Sequence, residues 1–253
     1  MIPIKTPDEV VAMRKACRAA AVILDRVCAL VAPGVSTYEL DQAAKGFMDE
    51  LGAVSACYNY QVGRLRFPGY TCISVNEEVV HGIPSLKRVI RPRDIVSVDV
   101  TVRVDGYVGD NARTVLVEPV AAEVRKLCEI TEEALYLAIE KARAGNRVCD
   151  ISQAVEKHVS KHRFGIVRKF VGHGVGRGLH EEPQIPNYGR EVKNLLKPGM
   201  TLAIEPMINL GTHDVVDSGD GWTYVTRDRR ASAHYEHTVL VTDGDPEILT
   251  KAG

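Results

Sequence analysis

The N-terminal part of the chain carries a helical pattern of apolar positions. Thr6-Pro7-Asp8-Glu9 has the form of a capping box with proline at the first helical position, which marks a helix start. The residues that follow at three- and four-residue steps are Val10, Met13, Cys17, Ala20, Leu24, Val27 and Val31. This spacing predicts one amphipathic helix that buries a single stripe and stops at Pro33-Gly34.

Similar patterns predict three further helices and a short strand. The helices extend from about Thr37 to Leu51, from about Ala121 to Arg143, and from about Cys149 to His162. Glycine follows the first two of these, as is common at helix ends. After an irregular aromatic stretch from Tyr58 to Tyr70, the β-rich run from Thr71 to Val75 predicts a strand.

The clearest pattern in the chain is a hairpin from Val96 to Val117. Valine alternates with other residues up to Val104, and a second β-rich run begins after Asp105-Gly106. An Asp-Gly pair between two such runs is typical of a two-residue hairpin turn. The alternation predicts that the valine side chains of the first strand lie on one buried face.

The register of this hairpin brings two aspartates together. With Asp105-Gly106 as the turn, facing residue numbers add to 211, so Asp99 lies opposite Ala112 and Asp110 lies opposite Thr101. The two carboxylates are then diagonal neighbours on one face. If they are buried, they need a proton, a basic side chain or a metal ion to neutralise them. The alternative is a pair of solvated aspartates beside a turn.

Short motifs recur in the same order in the two halves of the chain. The matching stretches are 34–43 with 145–154, His81–Pro84 with His180–Pro183, and Pro92 and Asp99 with Pro198 and Glu205. Their spacings are 111, 99 and 106 positions. This repeat predicts an α+β fold with two similar halves, about 1–118 and 119–253, that share one site within a single domain.

Composition and charge narrow the class of protein. Of 253 residues, 26% are charged and 45% hydrophobic, with a net charge of −1 and a pI of about 6.7. These ordinary values argue against a nucleic-acid partner. A secretory signal and an apolar run of membrane-spanning length are both missing from the sequence. Six scattered cysteines without a C-x-x-C pair indicate reduced thiols, so we expect a cytoplasmic protein without a membrane partner.

Two further carboxylates and a histidine have neighbouring residues that indicate a shared site with the two aspartates. Glu205 lies among apolar residues in L-A-I-E-P-M-I, and Glu236 precedes a β-rich run in H-Y-E-H-T-V-L-V. His173 lies in the glycine-rich segment V-G-H-G-V-G-R-G-L-H. Four carboxylates with one imidazole suit two divalent cations such as Mn, Fe, Co or Zn. The other histidines, expected to be ordinary polar residues, are His158, His162, His213, His234 and His237.

Several other kinds of site find no support. The glycines around His173 lack the lysine and Ser/Thr of a phosphate-binding loop, so we expect them to let the backbone approach a ligand closely. H-E-x-x-H and G-x-S-x-G motifs are absent from the sequence, which argues against a thermolysin-like or α/β-hydrolase site. Glu181 and Glu182 are adjacent and point in different directions, so they are not expected to be ligands together.

Motifs along nearly the whole chain match one family. They are C-I-S-V-N-E-E-V-V-H-G-I-P (72–84), the Asp99 and Asp110 hairpin, G-H-G-V-G-R-G-L-H-E-E-P (172–183), L-K-P-G-M-T-L-A-I-E-P-M (196–207), D-G-W (220–222) and A-H-Y-E-H-T (233–238). Through these motifs the sequence resembles the type I methionine aminopeptidases of the short bacterial form. The resemblance implies the pita-bread fold, with two pseudosymmetric halves around a central curved antiparallel sheet and a dinuclear metal site between them.

The resemblance also implies roles for single residues. The metal ligands it implies are Asp99, Asp110, His173, Glu205 and Glu236. Asp110 and Glu236 would bridge the two ions. His81 and His180 resemble the pair of histidines with which the family contacts substrate, and structural turn histidines are the alternative.

The implied reaction removes N-terminal methionine from peptides and nascent proteins that have a small second residue. A hydroxide that bridges the metal ions would attack the scissile carbonyl, and Glu205 would relay its proton to the leaving amine. His180 would help stabilise the developing oxyanion, and the free α-amine would bind near Asp99. The expected partners are methionyl peptides and nascent chains at the ribosome, and the chain is expected to be a monomer.

The methionine pocket of the family is matched in part. Phe67, Cys72 and Trp222 occupy pocket positions, and the D-G-W context favours a pocket role for Trp222 over a core role. Leu179 stands where phenylalanine is common, and Arg64 stands where tyrosine is common. We therefore expect the metal site to follow the family more closely than the pocket does.

Two alternative functions remain open. X-Pro dipeptidases and aminopeptidase P resemble this chain in fold and metal ligands, but they are longer, with an additional N-terminal domain. A binding protein that keeps the fold without catalysis is the other alternative. Such a protein would be expected to have lost metal-ligand positions, and all five are present here.

Overall fold

Helices flank both halves of the chain in the computed structural model, which describes residues 2–252. Within these residues there are four α-helices: α1 Pro7–Cys28, α2 Thr37–Glu50, α3 Ala122–Ile139 and α4 Val148–Val159. A 3₁₀ helix, Ser160–His162, continues α4. The helix predictions are confirmed in number and place.

Helix α1 follows the predicted stripe and ends earlier than predicted. Its capping box is present, because Thr6 Oγ1 accepts from Glu9 N and Glu9 Oε2 accepts from Thr6 N. Beyond Cys28 the chain tightens into i→i+3 bonds, such as Val31 N to Cys28 O at 3.2 Å. The C-terminal turn is therefore not α-helical. The same tightening, Ala142 N to Ile139 O at 2.9 Å, ends α3 before the predicted Arg143.

Seventeen strands are formed within the described residues. Those before α3 are β1 Val54–Ser55, β2 Gln61–Val62, β3 Leu65–Arg66, β4 Cys72–Val75, β5 Glu78–Val80, β6 Ile95–Val104 and β7 Tyr107–Leu116. Those after α4 are β8 Gly165–Ile166, β9 Gly172–Gly174, β10 Glu181–Ile185, β11 Thr201–Ile204, β12 Met207–Asn209, β13 Val215–Asp217, β14 Tyr224–Thr226, β15 Ser232–His234, β16 His237–Leu240 and β17 Glu247–Ile248.

The strand pairings of the described chain are all antiparallel. In the first half β6 is central, with β7 on one side and β4 and β1 along the other. In the second half the largest sheet has the order β10-β9-β11-β16-β17. Two smaller sheets have the orders β15-β12-β8 and β13-β14-β5, and the second of these joins strands from both halves.

The β6–β7 hairpin has the predicted register. Asp99 faces Ala112 and Thr101 faces Asp110. The turn residues Asp105 and Gly106 have φ values of 50° and 83°, as a type I′ turn requires. Helix α1 covers the valine face of the hairpin, because Val96, Val98, Val100, Val102 and Val104 all belong to its core cluster.

Hydrogen bonds repeat between the halves with the spacings seen in the sequence. Gly34 N donates to Ile90 O at 2.9 Å, and Gly145 N donates to Leu196 O at 3.1 Å. The β-bridge between Ser36 and Val89 is matched by one between Arg147 and Leu195. The first partners lie 111 positions apart and the second partners 106. The repeat in the sequence therefore reflects a repeat in the structure.

Two large apolar clusters form most of the core, and the hairpin lies at the junction of the halves. One apolar cluster joins α1, α2 and β6, and the other joins α3, α4 and β11. Ala112 of β7 and Glu236 form a β-bridge between the halves. None of the helices within residues 2–252 has the length and hydropathy of a membrane-spanning segment.

Candidate metal centre and active-site cavity

A cavity of about 320 Å³ opens where the β6–β7 hairpin meets the second half. The five predicted metal ligands differ in the element that carries them. Asp99 is on β6, Asp110 on β7 and His173 on β9, whereas Glu205 directly follows β11 and Glu236 lies between β15 and β16. All five line the cavity.

Ligand atoms of three of these residues are already close together. One atom each of Asp110, His173 and Glu236 lies within 4.8 Å of the others, and all three residues are buried. Glu205 Oε1 lies 3.4 Å from His173 Nε2, and Asp110 Oδ2 lies 3.7 Å from the same nitrogen. A single imidazole nitrogen thus faces carboxylates from both halves of the chain.

Asp99 is tied to this group through Thr101. Thr101 Oγ1 lies 2.8 Å from Asp110 Oδ1 and 3.3 Å from Asp99 Oδ1, and the side chain is buried. The hydroxyl has one hydrogen, so it can donate to only one of the two carboxylates at a time. Thr101 fixes the spacing of the two aspartates, a role that the sequence analysis did not assign. Its place on the polar face of β6 was the available clue.

The four carboxyl groups repel one another when they are charged. Burial raises the pKa of Asp99, Asp110, Glu205 and Glu236 above the ordinary range. Neighbouring carboxylate charges raise the pKa of Asp99, Asp110 and Glu236 further. A divalent cation would reverse this effect, because it stabilises the charged form of each ligand.

The donor atoms fit a metal. Glu236 Oε1 is buried without a hydrogen-bond partner, which is costly unless a cation binds it. His173 Nδ1 lies 2.9 Å from Gly174 O, so the proton on Nδ1 leaves the lone pair on Nε2 directed at the carboxylates. Oxygen ligands with one imidazole nitrogen are a donor set for divalent first-row metals.

His234 is a part of the site that sequence reasoning missed. Its side chain is buried, and its Nε2 lies 3.6 Å from Glu205 Oε2 without a hydrogen-bond partner. Its backbone is held by Thr114, whose Oγ1 accepts from His234 N at 2.9 Å and donates to His234 O at 2.8 Å. The expectation of an ordinary polar residue was wrong, because β15 is a buried strand. The spacing of two residues from Glu236 was the clue.

The glycines beside His173 have a different purpose from the predicted one. A Cβ atom at Gly172 would lie 2.4 Å from Ala203 O, and one at Gly174 would lie 2.2 Å from Glu182 O. The backbone that these glycines approach belongs to the neighbouring strands, so the glycines allow β9 to pack between β10 and β11. The prediction that they admit a ligand is not supported.

The two predicted substrate histidines both line the cavity. His81 adopts a positive φ of 58°, and its ring packs edge-on against Phe170 with centroids 5.3 Å apart. His180 Nδ1 lies 2.9 Å from Tyr60 Oη, and the ring centroid is 4.5 Å from that of His173. Desolvation lowers the pKa of both His81 and His180, so each ring is neutral at pH 7.

An apolar pocket adjoins the acidic group. Phe67 and Trp222 meet edge to face with ring centroids 5.3 Å apart, and Cys72 completes a small cluster with them. Cys72 also pairs with Asp99 in the β4–β6 register, which places the pocket directly beside the carboxylates. Leu179 lines the same cavity.

Arg64 is not part of the pocket in this structure. It is exposed and lies with Gly63 in the turn that joins β2 and β3, outside the residues that line the cavity. Gly63 has a φ of 58°, which allows the tight turn that carries Arg64 away from the cavity. Tyr60 and Val62 line the cavity on that side instead. The motifs that carry the family resemblance do not include residues 61–66, so they could not predict this hairpin.

Glu181 and Glu182 are both outside the cavity lining. Glu181 Oε2 pairs with Lys5 Nζ at 2.7 Å, and its Oε1 accepts from Gly178 N at 2.9 Å. Glu182 is exposed. Neither therefore belongs with the acidic group of the cavity.

Comparison with known proteins identifies the family. Residues 11–243 match the model of a protein family that is described as "Metallopeptidase family M24". Methionine aminopeptidase 1 of Bacillus subtilis (strain 168) is 45% identical over 252 residues, which cover 99% of this chain and 100% of the relative. The crystal structure of methionine aminopeptidase from Thermotoga maritima superposes with a TM-score of 0.95 at 43% identity, covering 99% of this chain and 100% of that one.

A prolidase structure is similar over a smaller share of its length. Prolidase from Pyrococcus furiosus has a TM-score of 0.80 at 25% identity, and the match covers 99% of this chain and 66% of the prolidase. This agrees with the expectation that proline-specific relatives are longer.

The predicted pita-bread fold with antiparallel sheet and two similar halves is confirmed. The acidic cluster and the family description agree on the use of divalent metal. The chain therefore belongs to metallopeptidase family M24, among the methionine aminopeptidases.

Proposed function

We propose that this protein hydrolyses the first peptide bond of methionyl peptides and nascent chains, with preference for a small second residue. One observation carries the proposal. A cluster of buried carboxyls with His173 and an apolar pocket built from Phe67, Cys72 and Trp222 share one cavity. The cluster suits hydrolysis assisted by metal, and the pocket suits the side chain of methionine, because thioethers pack well against aromatic rings.

The proposed metal ligands are the five clustered residues. Asp99, Asp110, His173, Glu205 and Glu236 would hold two divalent ions, because all five line the same cavity. Mn, Fe, Co and Zn all suit this donor set. When bound, the ions supply a nucleophile at neutral pH and polarise the scissile carbonyl.

The side chains around the metal site position the substrate and move the proton. Glu205 is proposed to take the proton of the nucleophile and give it to the leaving amine. Its carboxylate lies between His173 and His234, at 3.4 and 3.6 Å, which limits its orientations. His180 is proposed to donate a hydrogen bond to the substrate carbonyl oxygen from Nε2, because its Nδ1 is engaged by Tyr60.

The acidic end of the cavity explains a preference for free N-termini. Asp99 borders the apolar pocket through its partner Cys72, so a methionine side chain in the pocket would bring its α-amine to Asp99. An ammonium group at this place is stabilised by the nearby carboxylates. His81, on the same cavity wall, is proposed to contact the peptide.

The proposed setting is the cytoplasm, with nascent chains at the ribosome as substrates. Six cysteines are all unpaired and buried, which fits a reducing compartment. The chain is proposed to act as a monomer and as a single catalytic domain with halves of about 1–118 and 119–253. The hydrogen bonds and β-bridges that recur between the halves support this division.

The test is release of free methionine from the peptide Met-Ala-Ser. Metal-stripped protein is assayed with and without added Mn, Co, Fe or Zn, beside Glu205→Gln and the exposed control Glu182→Gln. The expected result is metal-dependent release that Glu205→Gln lowers by about 10²- to 10⁴-fold and Glu182→Gln leaves unchanged.

A second peptide, Ala-Pro-Ala, tests the main alternative. Cleavage of this peptide in place of Met-Ala-Ser would move the chain to the proline-specific peptidases. If neither peptide is cleaved with any of the four metals, the protein is a binding protein with the fold of the family. Either result would contradict the proposed function.

A further inference from the structure

The β2–β3 hairpin, Gln61–Arg66, stands at the mouth of the cavity. Val62 pairs directly with Leu65, so the two side chains share one face of the hairpin, and Gln61 and Arg66 share the other. Val62 lines the cavity. The face formed by Val62 and Leu65 is therefore continuous with the cavity wall.

The base of this hairpin is fixed to the cavity. Asn59 N donates to Phe67 O and Phe67 N donates to Tyr60 O, both at 2.9 Å. Phe67 packs against Trp222, and Tyr60 is hydrogen-bonded to His180. The hairpin is thus an extension of the wall that carries the substrate-contacting residues.

The apolar side chains on this face are exposed to solvent. Val62 is 56% exposed and Leu65 is 46% exposed. Leu65 packs against Gly221, since a Cβ atom built there would lie 2.7 Å from Leu65 Cδ1. Exposed aliphatic groups that adjoin a cavity lined by apolar and catalytic groups are typical of a surface that becomes covered when ligand binds.

We propose that Val62 and Leu65 bind the substrate peptide beyond its second residue and favour an apolar side chain there. This inference rests on the proposed function, because an aminopeptidase holds the free N-terminus inside the cavity and the remaining chain must leave through the mouth. The occupant is therefore a continuation of the substrate. Its favoured third or fourth residue is aliphatic, since the surface offered is aliphatic and its gain comes from covering Val62 and Leu65.

The experiment compares two peptides of equal length, Met-Ala-Leu-Leu-Ser and Met-Ala-Ser-Ser-Ser, with the metal-loaded protein. We expect kcat/KM to be about 5- to 10-fold higher for the leucine peptide, as partial burial of one or two aliphatic side chains would produce. In Leu65→Ser and Val62→Ser the ratio should fall towards one. Leu65→Met, which keeps an apolar side chain, should retain most of the preference.

The control is Leu195→Ser, because Leu195 is 43% exposed and lies outside the residues that line the cavity. It should keep the ratio of the unmodified protein. A variant that disturbs the fold lowers both values of kcat/KM together, whereas loss of the proposed contact lowers the ratio. An equal ratio in the unmodified protein and Leu65→Ser would overturn the inference and leave the proposed function intact. Failure of the unmodified protein to release methionine from either peptide would overturn both.

Discussion

Glu236 and Ala112 exchange two backbone hydrogen bonds across the junction of the halves. Glu236 N donates to Ala112 O at 2.9 Å, and Ala112 N donates to Glu236 O at 3.4 Å. Ala112 lies two residues after Asp110 on β7, so the bridge sets Glu236 beside Asp110. The metal site therefore depends on the docking of the halves, and not on either half alone.

Glu236→Gln should change stability in opposite directions with and without metal. Without metal, the variant should melt about 2–4 °C higher, corresponding to about 1 kcal/mol, because one of four crowded carboxyls is removed. With Mn or Co added, its gain in Tm should be much smaller than that of the unmodified protein. Thermal melts with EDTA and with excess metal measure both effects.

The matched control for this prediction is Glu182→Gln. Glu182 is an exposed acid outside the cavity, so the same change should leave both melting temperatures in place. A metal-dependent gain in Tm that Glu236→Gln retains in full would argue against Glu236 as a ligand.

Thr101→Val should weaken metal binding without removing a ligand. The hydroxyl that holds Asp110 at 2.8 Å is lost, and partners of this kind typically contribute 10- to 100-fold to metal affinity. Thr101→Ser keeps the hydroxyl and should restore affinity to within a few-fold. Calorimetric titration with Mn measures the change. Equal affinities of the valine and serine variants would show that the contact does not orient Asp110.

Lys5→Met should destabilise the fold by roughly 3–5 kcal/mol, the usual cost of breaking a buried ion pair. The side chains of Lys5 and Glu181 are 6% and 15% exposed, so the carboxylate left behind would be poorly solvated. The double variant Lys5→Met/Glu181→Leu should regain most of the loss, because no uncompensated charge remains. Urea unfolding of the unmodified protein, Lys5→Met, Glu181→Leu and the double variant measures the free energies, and additive losses would contradict the prediction.

Gly109→Ala should loosen the contact between α1 and the hairpin. A Cβ atom there would lie 2.4 Å from Ala16 O, so the helix must shift, at a cost of about 1–3 kcal/mol. Gly46→Ala in α2 is the control, because a Cβ atom there meets nothing within 4 Å. It should stabilise the protein by about 0.5–1 kcal/mol. The midpoint of denaturant unfolding should therefore fall for Gly109→Ala and rise for Gly46→Ala.

Several features could be predicted from the sequence because they depend on local chemistry. The Asp105-Gly106 turn and the alternation of β6 fix the register that brings Asp99 near Asp110. The capping box at Thr6 and the spacing of apolar residues fix α1. The repeat predicted two similar halves, and the motifs identified the family and the acidic and histidine residues that line the cavity.

Other features were decided only by the tertiary structure. His234 lies beside Glu205 because β15 pairs with β12, and a Met207–His234 pairing follows from neither local sequence. Arg64 lies outside the pocket because Gly63 turns the chain within a stretch that showed no regular pattern. Both outcomes depend on strands that are brought together by packing of distant residues, whereas turns, caps and alternation act over a few neighbouring positions. The sequence by itself therefore determined the turns, the caps and the acidic and histidine residues that line the cavity, and the docking of the halves decided which further groups join them and how all are arranged.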